Sequence, residues 1–285
     1  MSDTDKGMSR RKFLASAGTV AGAAAVASMG LSKIASPAEA AAAVTVPWPY
    51  PSAAADQPVP EAMARRAFEV YFASGCAEAT WWPVIEFLGA KYADSWGTMP
   101  KNVFRFGGGG VGGWGTVCGT VNGSSALIGM CVADATHRNN LIDAIMQYYA
   151  NTALPTNQAW KSYKDELGLT TPWAPATVPL QNVPSSTAHS PLCHSSLVQW
   201  TMTTGAKNGG PLQRDRCGKA CFDLVLKTTE LLNTYFQMAK PSAAPVALDP
   251  SVEACRTCHL TYTGAKMACS SCHDQTLAKS SSMGH

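Results

Sequence analysis

EAMARRAFEVYFASGCAEATWWPVIEFL, residues 61–88, decides the fold class. Phe68, Tyr71 and Phe72 recur in it at helical spacing, which predicts an amphipathic helix over Glu61–Ser74. Gly75 ends that helix and Cys76 follows at once. Ala77–Leu88 reads as a second helix, with Pro83 in its early turns as an expected kink. Helix, glycine, cysteine and helix thus form one unit. The same periodicity predicts further helices at Gly123–Ala133, Asn139–Thr152, Leu192–Thr203 and Gln213–Met238. In the second of these, Leu141, Ile142, Ile145, Met146 and Tyr149 share a side. Strand signals are sparse, so the expected fold is mainly α. A helical, cysteine-rich domain covers 61–245, and a mostly irregular C-terminal segment covers 246–285. Five prolines with Trp48 and Tyr50 make 41–60 an extended arm, and Lys240–Pro250 a linker.

The C-terminal segment carries Cys255-Arg-Thr-Cys258-His259 and Cys269-Ser-Ser-Cys272-His273. Each is C-x-x-C-H, the attachment motif of a c-type haem. Two thiols add across the two vinyl groups of one porphyrin, and the following histidine is placed to ligate the iron. A zinc knuckle or a disulfide pair would also use such cysteines, but neither needs a histidine directly after the second one, twice. The motifs predict two covalent haems per chain, with His259 and His273 as proximal ligands. Only nine residues, Leu260–Ala268, separate His259 from Cys269, a span of at most about 30 Å. The haems are therefore expected close together.

Each iron then needs a sixth ligand or keeps an open position. The remaining histidines are His137, His189, His194 and His285. His285 ends a serine-rich tail and is set aside. His189 and His194, in Ala-His-Ser-Pro-Leu-Cys-His, are the favoured distal ligands, with His137 in reserve. A hydrogen-bonded structural histidine is the competing reading for each. A distal ligand given by a second subunit would tie haem ligation to dimerisation.

Residues 9–14, Ser-Arg-Arg-Lys-Phe-Leu, read as a twin-arginine export signal. An Ala/Gly-rich run to about Ile34 and the A-x-A site Ala38-Glu39-Ala40 follow, so 1–40 is the expected signal peptide and the periplasm the expected destination. The run is poor in Leu, Ile and Phe and is broken by Lys33, which argues against a membrane anchor. Twin-arginine export carries proteins already folded, often around a cofactor. A second cofactor or an early-folding domain upstream of the haem motifs is therefore expected.

The full chain carries a formal charge of +3. Residues 1–40 hold five basic and three acidic groups, so the remainder has 17 against 16, a net of +1. That balance excludes an electrostatic nucleic-acid binder. Apolar residues at 46% against 14% charged predict a sizeable core and a buried subunit interface.

Beyond the haem motifs lie Cys76, Cys118, Cys131, Cys193, Cys217 and Cys221. In an oxidising compartment they suit up to three disulfides. Alternatively, four of them suit an iron–sulfur cluster. Cys217 and Cys221 stand at i and i+4 of one predicted helix and share a face. Cys131 reads best as a small buried hydrophobe. Phe106-Gly-Gly-Gly-Gly-Val-Gly-Gly-Trp-Gly115 satisfies G-x-G-x-x-G formally (Gly107, Gly109, Gly112), yet no strand precedes it and no acidic residue follows at the required distance. It is instead expected as a loop of close backbone approach, whose N–H groups reach cluster sulfurs.

Gly75-Cys76-Ala77, the glycine run from Phe106, Cys118-Gly119, and Cys193 and Cys217 together resemble the family named for a C-GCAxxG-C-C pattern. With the two haem motifs and the export signal, the chain from about residue 60 resembles the split-Soret cytochromes c of sulfate-reducing bacteria. Thr80 stands where the pattern has its final glycine, and no cysteine precedes Cys76. The resemblance implies a homodimer, two near-contact bis-histidine haems per subunit and an iron–sulfur centre of the [2Fe–2S] type. Cys76, Cys118, Cys193 and Cys217 are its favoured ligands, with Cys221 or Cys131 as substitutes. The expected function is electron transfer, since bis-histidine haems leave no site for substrate. The alternatives are a small periplasmic reductase with one open haem iron, and a binding module whose extra cysteines are disulfides.

Overall fold

The structure is a computed structural model and describes residues 48–158, 183–250, 252 and 266–267. The export signal, the haem-motif residues Cys255, Cys258, His259, Cys269, Cys272 and His273, and His285 lie outside the described residues.

Six α-helices make up most of what is described: α1 Pro60–Ser74, α2 Cys76–Lys91, α3 Gly119–Cys131, α4 Ala135–Asn151, α5 Cys193–Thr204 and α6 Pro211–Gln237. Two short strands, β1 Ala153–Leu154 and β2 Ser186–Thr187, pair antiparallel. The mainly α reading therefore holds. Proline at the first helical position starts α1 and α6, where a missing N–H costs nothing. Asp134 caps α4 by accepting the His137 N–H at 2.8 Å. Gly205, left-handed at φ +66°, closes α5. Pro83 lies inside α2, which runs on through it to Lys91.

Between α1 and α2 stands the single residue Gly75, at φ +83° and ψ −179°. A side chain is strongly disfavoured there, so glycine permits the abrupt change of direction. α1 packs along α6 and against α2, α2 also packs on α3, and α3 on α4. Trp81, Ile85, Leu88, Leu127, Ile128, Ile145, Phe222 and Leu232 fill the space between them, each almost wholly buried. From Trp48 on, the proline-rich arm does not stand free, and Ala54–Asp56 within it form a short 3-10 helix. Trp48 and Tyr50 are buried, the Trp48 N–H donates to Met130 O, and the Trp96 indole donates to Pro49 O at 2.6 Å. Trp48 meets Trp96 edge-on with ring centroids 4.7 Å apart.

Candidate metal centre

Five cysteines from four helices converge. Cys76 is the first residue of α2, Cys193 the first of α5, and Cys118 the N-cap of α3. Cys217 and Cys221 face them from α6. Cys76 hydrogen-bonds to both Cys217 and Cys221, and Cys118 bonds to Cys193. An antiparallel bridge between Val117 and Leu192 explains the second pairing. Through it the Cys118 N–H donates to Pro191 O at 2.9 Å and the Cys193 N–H to Thr116 O at 2.8 Å. All six cysteines outside the haem motifs are free thiols, against the disulfide alternative. Cys131 is apart from the others at the far end of α3, where burial alone pushes its thiol up.

The chamber favours thiolate, though it is buried. Three helix N-termini point their positive ends into it. The hydrogen bond from Cys76 and the neighbouring Arg216 guanidinium hold Cys217 down at about 5, against burial. Gln213 Nε2 donates to Cys217 Sγ at 2.8 Å, and Arg216 Nη1 lies 3.8 Å from it. The Cys193 thiol and Thr120 Oγ1, the latter donating at 3.2 Å, hold Cys118 at about 6, with Tyr149 assisting. The partner thiols pay the other side: Cys76 and Cys193 are pushed up as donors to a thiolate. Arg216 is 2% exposed, its second nitrogen donates to Ser196 Oγ at 2.5 Å, and its Nε has no hydrogen-bond partner. The Tyr149 hydroxyl, turned toward Cys118, finds no full hydrogen bond either.

By chemistry this donor set fits an iron–sulfur centre: buried thiolates, a buried compensating cation and side-chain donors on sulfur. The thiols are hydrogen-bonded as a three and a two. Among the described residues no three His, Cys, Asp or Glu already surround a common metal position.

The glycine loop lies over the N-terminus of α2. A Cβ on Gly119 would sit 2.2 Å from Gly107 O and 2.8 Å from Cys76 Cβ, so α3 approaches the loop and α2 backbone to backbone. Glu78, fully buried, fixes the approach to the loop by accepting the N–H groups of Asn102 at 2.7 Å and Phe104 at 2.9 Å. Thr80 turns its hydroxyl to Cys76 O at 3.2 Å and reaches Gly119 O at 3.4 Å. It fills the room beside Gly123, so the departure from glycine is accommodated by its neighbour. The expectation that loop N–H groups reach sulfur needs correcting for three of them. Those of Gly112, Gly113 and Gly115 go to the loop's own carbonyls of Phe106, Gly108 and Gly109. Sulfur receives Thr120, Gln213 and Arg216 instead.

The three described histidines fall into two groups. His137 bonds to Tyr235 Oη at 3.3 Å and lies 3.8 Å from Asp134 at the start of α4. His189 and His194 are exposed and flank the chamber segment. The His189 N–H donates to Ala150 O, so His189 sits at the opposite end of α4 from His137, roughly 20 Å along the axis. His189 borders a cavity of about 180 Å³ together with Ile142, Met146, Pro191 and Met267. Met267, two residues ahead of Cys269, accepts a hydrogen bond from Ser190 Oγ at 3.4 Å, and Lys266 pairs with Asp143 at 2.5 Å. His194 stands on the exposed face of α5 that also carries Val198 and Met202.

Arg216, Gln213, Tyr149 and Glu78 were not singled out by sequence reasoning. Arg216 beside Cys217, and Gln213 one turn ahead of it, were the available signal.

Residues 75–235 match the family model described as "Putative redox-active protein (C_GCAxxG_C_C)". Split-Soret cytochrome c of Desulfovibrio desulfuricans is 23% identical over 227 residues, 77% of this chain and 76% of that protein. A solved structure titled as a novel iron centre in the split-Soret cytochrome c of that organism superposes with a TM-score of 0.68 at 22% identity. The superposition covers 81% of this chain and 92% of that one.

Proposed function

Because the chain belongs to the C_GCAxxG_C_C family, we propose that it is an electron-transfer cytochrome with two covalent haems and an iron–sulfur centre. The haems attach at Cys255 and Cys258 and at Cys269 and Cys272, with His259 and His273 as proximal ligands. His189 and His194 are the distal ligands. Cys76, Cys118, Cys193 and Cys217 hold a centre of the [2Fe–2S] type, with Cys221 one turn away as the alternate. Exported by the twin-arginine route, the chain works in the periplasm as a homodimer.

One observation carries this reading. The six residues His189–His194 give the buried chamber a thiol, Cys193, and present both exposed histidines to the surface. Cysteine chemistry and haem ligation thus share one short segment. The order of the ligands also fits. His189 lies beside Met267 at the entrance to the second haem motif, while His137 is already engaged by Tyr235 and Asp134. The related protein's iron centre is a further support.

When bound, haem and cluster supply reversible one-electron chemistry. The chain's own residues set its conditions. Arg216 compensates buried negative charge, Gln213 and Thr120 donate to sulfur, and the helix ends favour the thiolate forms. The chamber cysteines are themselves buried, which keeps water from them.

Iron counted per chain, with EPR spectra of the isolated and dithionite-reduced protein, tests the reading. About four irons per chain are expected, two in haem and two in the cluster; about two would remove the cluster. Carbon monoxide added to the reduced protein should leave the haem spectrum unchanged. Tight binding would favour an open-site reductase.

A further inference from the structure

We propose that the tip of the glycine loop, residues 103–114, is the docking surface for an acidic electron-carrier protein. This rests on the electron-transfer reading above and says where the cysteine chamber exchanges electrons.

Three observations converge on it. First, the tip is apolar and open: Trp114 is 85% exposed, Phe106 53% and Val111 46%. A tryptophan so placed on a soluble surface lacks the covering that its area normally seeks, and aromatic anchors of this kind dominate protein interfaces. Second, the loop is thin. Between Phe106 and Thr116 every residue but Val111 and Trp114 is glycine. A Cβ on Gly107 would lie 2.4 Å from Ala77 Cβ, so bare backbone rests on the Gly75–Ala77 turn. Cys76 is directly below, and Cys118 and Cys193 follow where the loop leaves through the Val117–Leu192 bridge. Cys76, Cys118 and Cys193 keep 4–7% exposure where Cys131 keeps 1%. One layer of peptide separates a partner on this tip from the thiols.

Third, the charge has one sign. No acidic residue occurs between Asp94 and Asp134, whereas Lys101 and Arg105 are both exposed there. The carboxylates that face this region from α2 are engaged: Glu78 by loop N–H groups and Glu86 by Arg66. Lys101 lies over the Trp82 ring, 5.4 Å from its centroid. An apolar tip with a basic rim is complementary to an acidic-rimmed apolar patch. It disfavours a second copy, because two such tips would set Lys101 and Arg105 against themselves. In the exchange the reduced carrier would give up one electron, and an iron–sulfur centre held by Cys76, Cys118, Cys193 and Cys217 would take it up; no bond forms or breaks.

The test uses the full holoprotein with flavodoxin, a small acidic flavin carrier, as probe, and a basic cytochrome c of similar size as the opposite charge. Flavodoxin should bind more tightly, with an affinity that falls as salt rises. Trp114→Ser and Arg105→Glu should each weaken binding at least tenfold, and Arg105→Glu should also flatten the salt dependence. Iron content, haem spectrum and oligomeric state should not change in either variant. Undiminished binding by Trp114→Ser would overturn the proposal, as would preference for the basic cytochrome. So would conversion of a dimer to monomers by Trp114→Ser, since a second copy would then cover the tip. Normal holoprotein that ignores flavodoxin overturns the docking surface alone. A chain without haem and cluster iron overturns the electron-transfer reading beneath it.

Discussion

The two ends of α3 make a controlled comparison. Cys118 caps its start and Cys131 is its last residue, and both thiols are buried. At the start, donors from Cys193 and Thr120 hold the thiol at about 6 against burial. At the other end no donor offsets burial, and the thiol is pushed up. Glycines divide the same way. Gly119 near the start is wedged against Gly107 O and Cys76, whereas a Cβ on Gly129 would meet nothing within 4 Å. Burial by itself keeps a thiol protonated; hydrogen-bond donors on the sulfur favour the thiolate. Cysteine content alone would rank the two ends equally.

The sharpest way to break the comparison is to remove each thiol. If the chamber holds the proposed iron–sulfur centre, Cys118→Ser should strip that iron from the chain while Cys131→Ser keeps all of it, read as iron per chain and by EPR. Equal losses would put Cys131 in the centre. Next in size is the cation. Arg216→Gln leaves Ser196 and the thiolates without their buried counter-charge and should cost about 3 kcal/mol in urea unfolding. A loss below about 1 kcal/mol would mean that the chamber does not depend on it. Gly119→Ala should cost about 2 kcal/mol, because the Gly107 backbone it meets cannot swing aside like a side chain. Gly129→Ala, on the same helix, should instead stabilise by about 1 kcal/mol, seen as a higher urea midpoint. A matching sign for these two glycines would remove the distinction between the ends.

The helices were legible where apolar residues repeat: the bounds of α1, α5 and α6 lie within two residues of the spacing in the sequence. For α3 and α4 the predicted starts fell four residues late, for two reasons. The first turn of α3 is Gly-Thr-Val-Asn, with no apolar stripe, and its position is set by Cys118 joining Cys193 through a distant bridge. The first turn of α4 is polar, and its start is marked by the Asp134 cap, a local signal that periodicity does not register. The cysteines announced themselves by type. Their grouping into 76, 217 and 221, and into 118 and 193, did not, because partners 75 to 145 residues apart leave no spacing rule. Arg216 stayed hidden because a charged residue beside a cysteine on a long helix reads as solvent-facing, and only tertiary packing buries it.

The hydrogen bond from Cys221 Sγ to Cys76 O at 3.9 Å joins residues 145 apart. The clamp of Glu78 on Asn102 and Phe104 spans only 24 and 26. These separations set a timetable for biosynthesis. The loop can be fastened to α2 while most of the chain is still on the ribosome. Any nascent chain shorter than 221 residues lacks at least one of the five chamber thiols. The complete chamber is therefore an assembly event of the finished polypeptide, and a stalled or truncated product carries the early thiols without the helix that faces them.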